Sequence, residues 1–173
     1  QTSPTHLTEI LMVKTQSTKN SNSGQKAISM LKADHRKVER LFKRYEKSNK
    51  RSAKAKLAQD ICLELSVHTT IEEELFYPAV RGAVEEEIHD EAYVEHDGAK
   101  MLIAELLKGM PEDDFYDAKV TVLSEMIKHH VKEEEQRDGM FAKAKKADLD
   151  LDALGEELQA RKMELMKQKK NGR

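Results

Sequence analysis

A single cysteine, Cys62, in 173 residues excludes a disulfide framework and any thiolate metal cluster, and makes a reducing cytoplasm the expected location. Tryptophan is absent, and only three prolines and seven glycines punctuate the chain, so there is little to break long helices. No excess of one charge exists either. The 30 basic and 32 acidic residues are interspersed and leave a net charge of -2, which gives no electrostatic case for nucleic acid. Apolar runs are short: Ile10 to Val13 is too brief and badly flanked for a signal peptide, and nothing reaches the roughly 20 residues of a membrane-spanning helix. A Gly-rich phosphate loop, a thiol pair and a nucleophile–base arrangement are all missing. What remains, 36% charged and 38% apolar residues, describes one soluble helical domain long enough to bury its own core.

The periodicity divides the chain. Residues 1–26 are rich in Ser, Thr, Asn and Gln and carry no sustained period, so a disordered tail is expected there; His6 has no role in it, and Met12 is a candidate natural start. From Ala27 onward Ile28, Leu31, His35, Val38, Phe42 and Tyr45 recur at helical spacing up to Ser48-Asn49. A second helix from near Ser52 to Pro78–Gly82 turns Leu57, Ile61, Leu65, His68, Glu72 and Leu75 inward. The third, from about Val84 to Lys108, carries Ile88, Ala92, His96, Ala99, Ile103 and Leu106 on one face. After Gly109-Met-Pro111, with Asp113 or Asp114 as cap, a fourth helix shows Tyr116, Val120, Leu123, Ile127, His130, Glu134 and Phe141. Asp148 or Asp150 then caps a shorter fifth helix with Leu151, Leu154, Leu158 and Leu165 inward, ending in a basic, fraying stretch from Lys167 to Arg173. The expected architecture is all-α: an up-down-up-down four-helix bundle over residues 27–147, with the C-terminal helix over 148–173.

Polar residues interrupt the apolar stripes at matched places. His68 and Glu72 lie one turn apart and can reach a single point beside the helix, and His130 with Glu134 repeats the arrangement. His35 and His68 are 33 positions apart, His96 and His130 are 34, and Asp34-His35 echoes Glu95-His96. The chain therefore reads as two helical hairpins, each offering one His and one His-x-x-x-Glu. Four imidazoles and two carboxylates in one core are costly to bury unless a shared cation offsets the cost by ligation. The register assigns His130, not His129, to the inward face; His129 is expected to be solvated or outside the ligand set. Glu73, Glu74, Glu133 and Glu135 fall on the solvated face, with one of them a candidate extra ligand. His89 is expected at the surface, Tyr77 as a core or rim aromatic, and Tyr93 near enough to hydrogen-bond at the site. A ferritin-type pattern is not supported, since Glu86-x-x-His89 occurs without a second copy.

These motifs, Asp34-His35-x-x-Val38-x-x-Leu41-Phe42, His68-x-x-x-Glu72-Glu73-x-Leu75-Phe76-Tyr77-Pro78, Glu95-His96 with Lys100-x-Leu102-Ile103, and His129-His130-x-x-x-Glu134, resemble the hemerythrin-like HHE cation-binding family over residues 27 to 145. The resemblance implies two non-haem irons with an oxo or hydroxo bridge, terminal ligands His35, His68, His96 and His130, and bridging carboxylates Glu72 and Glu134. Manganese or zinc suits the same donors. One departure stands out: the oxygen carriers of the family have a fifth histidine four residues after the third-helix histidine, where this chain has Lys100, whose ammonium cannot ligate. The final carboxylate also differs in type and spacing. Both changes point away from reversible oxygen carriage and toward a site that reacts or senses. The expected protein, with a monomer favoured, binds, senses or reacts with dioxygen, hydrogen peroxide or nitric oxide. A peroxide-consuming, catalase-like enzyme and a metal-free interaction bundle are the alternatives.

Overall fold

The computed structural model describes residues 25–171, so the expected tail and the proposed start at Met12 lie outside the described residues, apart from Gln25 and Lys26. The elements are α1 (Lys26–Glu46), α2 (Arg51–Ile71), a π-helical turn (Glu72–Phe76), α3 (Tyr77–Val80), α4 (Glu86–Lys108), α5 (Tyr116–Glu135), α6 (Met140–Lys146) and α7 (Leu151–Asn171). No strand occurs among the described residues, and no helix there is long and apolar enough to cross a membrane. α1, α2, α4 and α5 form the four-helix bundle, each burying the stripe that its sequence period marks out.

Two apolar clusters fill the bundle. One joins Val38, Phe42, Ile61, Leu65, Ile103, Leu123 and Ile127; the other joins Ile28, Leu31, Ile71, Phe76, Tyr77, Val80, Phe141 and Leu158. The polar positions of the four stripes fall between them, so apolar packing on both sides fixes a buried polar layer. Each fully buried Leu, Ile or Phe contributes on the order of 1.5–3 kcal/mol, which is what holds that layer in place.

Three local details differ from the sequence expectation. The fourth helix stops at Glu135, and Phe141 belongs to the separate α6, because the Asp138-Gly139 pair turns the chain; a β-carbon at Gly139 would stand 2.2 Å from the Glu133 carbonyl oxygen. Neither Asp113 nor Asp114 caps α5 through its side chain. Asp113 instead accepts from the Met110 amide at 2.7 Å, and Phe115 enters the helix from the left-handed region at φ 64°. Asp150 does cap α7, accepting from the amides of Asp152 and Ala153 at 3.2 and 2.9 Å. That helix is not short: it runs 21 residues, as long as α1 and α2, against both of which it packs. Gly155 makes the approach to α1 close, since a β-carbon there would lie 2.6 Å from the Ala27 nitrogen.

Candidate metal centre

Pro78 shapes the site from the sequence side. It has no N–H to give the Glu74 carbonyl, and its ring crowds that carbonyl, so α2 cannot continue as a regular helix. The chain widens into the π-helical turn, and the Tyr77 amide bonds to the Glu72 carbonyl five residues back. This extra residue keeps His68 and Glu72 in α-helical register while bringing Tyr77, rather than Phe76, beneath Glu72 on the inner face.

His35, His68, Glu72, His96, His130 and Glu134, the six residues singled out in the sequence, meet in the polar layer with exposures of 0–5%. The Nε2 atoms of His35 and His68 are 3.0 Å apart, and those of His96 and His130 are 3.2 Å apart. Glu72 Oε2 lies between the pairs, 3.1 Å from His68 Nε2 and 3.4 Å from His96 Nε2. Glu134 Oε2 mirrors it, 3.4 Å from His35 Nε2 and 3.6 Å from His130 Nε2. Two donors each about 2.1 Å from one ion and 90–110° apart are themselves about 3.0–3.4 Å apart, close to the 3.0–3.6 Å separations seen.

The outer ring nitrogens explain why these contacts want a cation. His35 Nδ1 donates to Glu135 at 2.8 Å, His96 Nδ1 to Glu73 at 2.9 Å, and His130 Nδ1 to Glu95 at 2.7 Å. With the proton held there, each Nε2 presents a lone pair inward. His96 and His130 thus aim two lone pairs at one point. Both oxygens of Glu72 and Oε2 of Glu134 are buried without a hydrogen-bond partner, a cost of several kcal/mol per ionised group unless a positive charge sits among them. The donor set and its orphaned oxygens fit a pair of metal ions.

Protons partly fill that role in the metal-free core. Burial pushes His35 down to about 4 against the pull of Glu135. Burial acts the same way on His68 and His96, but Glu72 with Asp34, and Glu72 with Glu73, override it and raise them to about 10 and about 9. The carboxylates split: burial and the charge of Glu72 raise Glu134, whereas His68 and His96 outweigh burial and hold Glu72 low.

Other residues fall where the sequence did not put them. Glu73 and Glu135, assigned to the solvated face, are partly buried and each holds an imidazole of the opposite hairpin. Glu95 and Asp34 face His130 and His68. The doublets Glu72-Glu73, Glu134-Glu135, Asp34-His35 and Glu95-His96 carried this signal, one member facing in and its neighbour reaching a histidine from outside. Tyr77 is neither simple core nor rim: its hydroxyl is 3.2 Å from His96 Nε2, 3.5 Å from His130 Nε2 and 3.2 Å from Glu134 Oε1. His89 is not a surface residue; it is 3% exposed, packs edge-on to the Tyr77 ring, and its Nε2–H donates to the Tyr77 carbonyl at 3.3 Å. His129 lies outside the core, its Nε2 3.2 Å from Glu95. Lys100 points outward, bonded to Glu73 at 2.7 Å and Asp97 at 3.1 Å. Tyr93 reaches the Glu73 carbonyl at 3.5 Å.

Comparison with known proteins agrees with this geometry. The description "Hemerythrin HHE cation binding domain" matches residues 26–162. A solved structure of a hemerythrin HHE cation-binding domain-containing protein from Mycobacterium kansasii superposes with a TM-score of 0.68 at 26% identity, covering 82% of this chain and 88% of that one. A DNA nickase from Nostoc sp. is 29% identical over 106 residues, which is 61% of this chain and only 30% of the length of that relative.

Proposed function

The chain belongs to the hemerythrin HHE cation-binding domain family, and from that premise and the converging donors we propose that it holds two non-haem iron ions and binds, senses or reacts with dioxygen, hydrogen peroxide or nitric oxide. The observation that carries the reading is the meeting of four inward Nε2 atoms with three carboxylate oxygens that have no hydrogen-bond partner. In this reading His35 and His68 would hold one ion and His96 and His130 the other, with Glu72 and Glu134, each within reach of both pairs, shared between them. The ions supply redox and Lewis-acid chemistry; the chain supplies orientation and protons.

Access favours a small ligand. A cavity of about 10 Å³ touches His35, His68, His96 and His130, and another of about 30 Å³ touches His130 and Glu134. Spaces of that size admit a water-sized or diatomic molecule, not an organic substrate. Tyr77 provides the proton donor there. Burial, with the charges of Glu134 and Glu72, pushes its hydroxyl well above the usual tyrosine range, so it stays protonated and its O–H can serve Glu134 or a ligand beside His96 and His130. No DNA chemistry is carried over from the Nostoc relative, of which so little is matched.

Iron reconstitution tests the reading: about two irons per chain and a near-ultraviolet band that changes on exposure to air are expected, and a protein that takes up no iron would end it. The outward turn of Lys100, which leaves Tyr77 facing the His96–His130 pair, favours a second reading, a peroxide-consuming enzyme. Oxygen release from peroxide should then disappear when His68 and His130 are both replaced by Ala; release that persists argues against the site.

A further inference from the structure

The four outer ring nitrogens are not treated alike. Those of His35, His96 and His130 have carboxylate partners at 2.7–2.9 Å, but His68 Nδ1 stands 3.6 Å from Asp34 Oδ2, beyond hydrogen-bond range. Both atoms of that gap are buried and have no hydrogen-bond partner. By the symmetry of the two hairpins Asp34 stands to His68 as Glu95 stands to His130, where the bond is made at 2.7 Å. Two things hold Asp34 back. Its side chain is one methylene shorter than that of Glu95, and its other oxygen is bonded by the Lys162 ammonium of α7. Among the described residues no such cation stands over Glu95 in the α4–α5 hairpin; it meets His129 instead.

The gap changes what an arriving ion finds. His96 and His130 have their Nδ1 atoms tied to Glu73 and Glu95, which fixes both Nε2 atoms toward the centre. His68 lacks such an outer partner on Nδ1, and its Nε2 stands 3.0 Å from His35 Nε2 and 3.1 Å from Glu72. For an ion between His35 and His68 the His68 ring would need the outer support that the other three rings have, and Asp34 can close on its Nδ1 only against the hold of Lys162.

Resting on the metal reading above, we propose that Lys162 is a positioning residue: through Asp34 it sets the His68 imidazole, and so makes the His35–His68 position the weaker and later-filled of the two metal positions. α7 thereby couples the C-terminal part of the chain to the centre. Outer partners of metal-bound histidines typically change affinity about 10- to 100-fold, so the effect is measurable.

The test is zinc titration of the metal-stripped full chain against a chromophoric chelator. Wild-type protein should bind two equivalents in separate steps, and His35→Gln should remove the weaker one. Lys162→Met should tighten the weaker step about tenfold and leave the tighter one unchanged; Lys162→Arg should behave as wild type. Adding Asp34→Asn to Lys162→Met should cancel the gain, which a merely structural role for Lys162 would not produce. Lys162→Gln gives the same measurement if the Met variant does not fold. Wild-type protein that binds no metal overturns the metal reading and this inference with it. Two equivalents whose steps Lys162→Met leaves unchanged, or a weaker step that survives His35→Gln, overturns the inference alone.

Discussion

At the scale of single residues, the site is made by pairs of neighbours with opposite duties. Glu72 and Glu134 enter the core while Glu73 and Glu135 stay at its edge and orient His96 and His35. Glu95 does the same for His130 with the shortest of these bonds, 2.7 Å. Replacing Glu95 by Gln removes the ionised acceptor that keeps the His130 proton on Nδ1. Metal affinity at that pair should fall about 10- to 100-fold with little change in helix content, which competition titration with circular dichroism will show. The four inward histidines and two glutamates could be picked out from period and spacing alone. Their outer partners showed only as the acidic neighbour in each doublet, because a glutamate at the edge of an apolar stripe looks the same in sequence whether it meets water or an imidazole from another helix.

At the scale of elements, the π-helical turn sets the register of everything after Glu72. Replacing Pro78 by Ala restores the N–H that a regular helix needs, lets the segment run as α-helix and rotates Tyr77 by about 100° away from His96 and His130. Helix content should be kept while metal uptake is weakened, a result readable in a single titration. The far end of the bundle depends on a different contact. Asp117, in the first turn of α5, accepts from Tyr45 of α1 at 2.6 Å and Lys54 of α2 at 2.7 Å. Those two bonds, against a smaller effect of burial, hold its carboxyl below the usual aspartate value of about 3.9. The stability it contributes is therefore complete above that value and is lost as pH falls through the lower folded one. With the side chain largely in water the contribution is modest, about 1 kcal/mol or less. Asp117→Asn should lower stability at pH 7 by that amount and should flatten the loss on acidification below the usual aspartate value in urea titrations at fixed pH.

At the scale of the whole molecule, two apolar clusters clamp a charged layer whose carboxylates lack partners of their own. A bound metal pair should stabilise the fold as any ligand selective for the native state does, by about 2.7 kcal/mol per site at 100 times Kd. Chelation should lower Tm by several degrees, and an unchanged Tm would favour the metal-free bundle instead. α7 completes the molecule by lying along α1 and α2. Arg161 grips Glu74 of the π-helical turn with bonds of 2.6 and 3.0 Å, and Lys162 grips Asp34. The C-terminal helix thus packs chiefly over the α1–α2 hairpin, which breaks the near-symmetry of the centre.

The sequence by itself determined the helices, their inward stripes and the six polar residues within them, because side-chain period is a local property of an α-helix. It also carried the Asp138-Gly139 turn and the Pro78 break, although the meaning of each depends on its neighbours. Only the tertiary structure decided that Tyr77 reaches the centre, that His89 is buried behind it, that Lys100 turns away, and that Asp34 answers to Lys162 before His68. Each of those outcomes depends on which atoms of separate helices come within about 3 Å of one another, and no spacing along one chain segment encodes that distance.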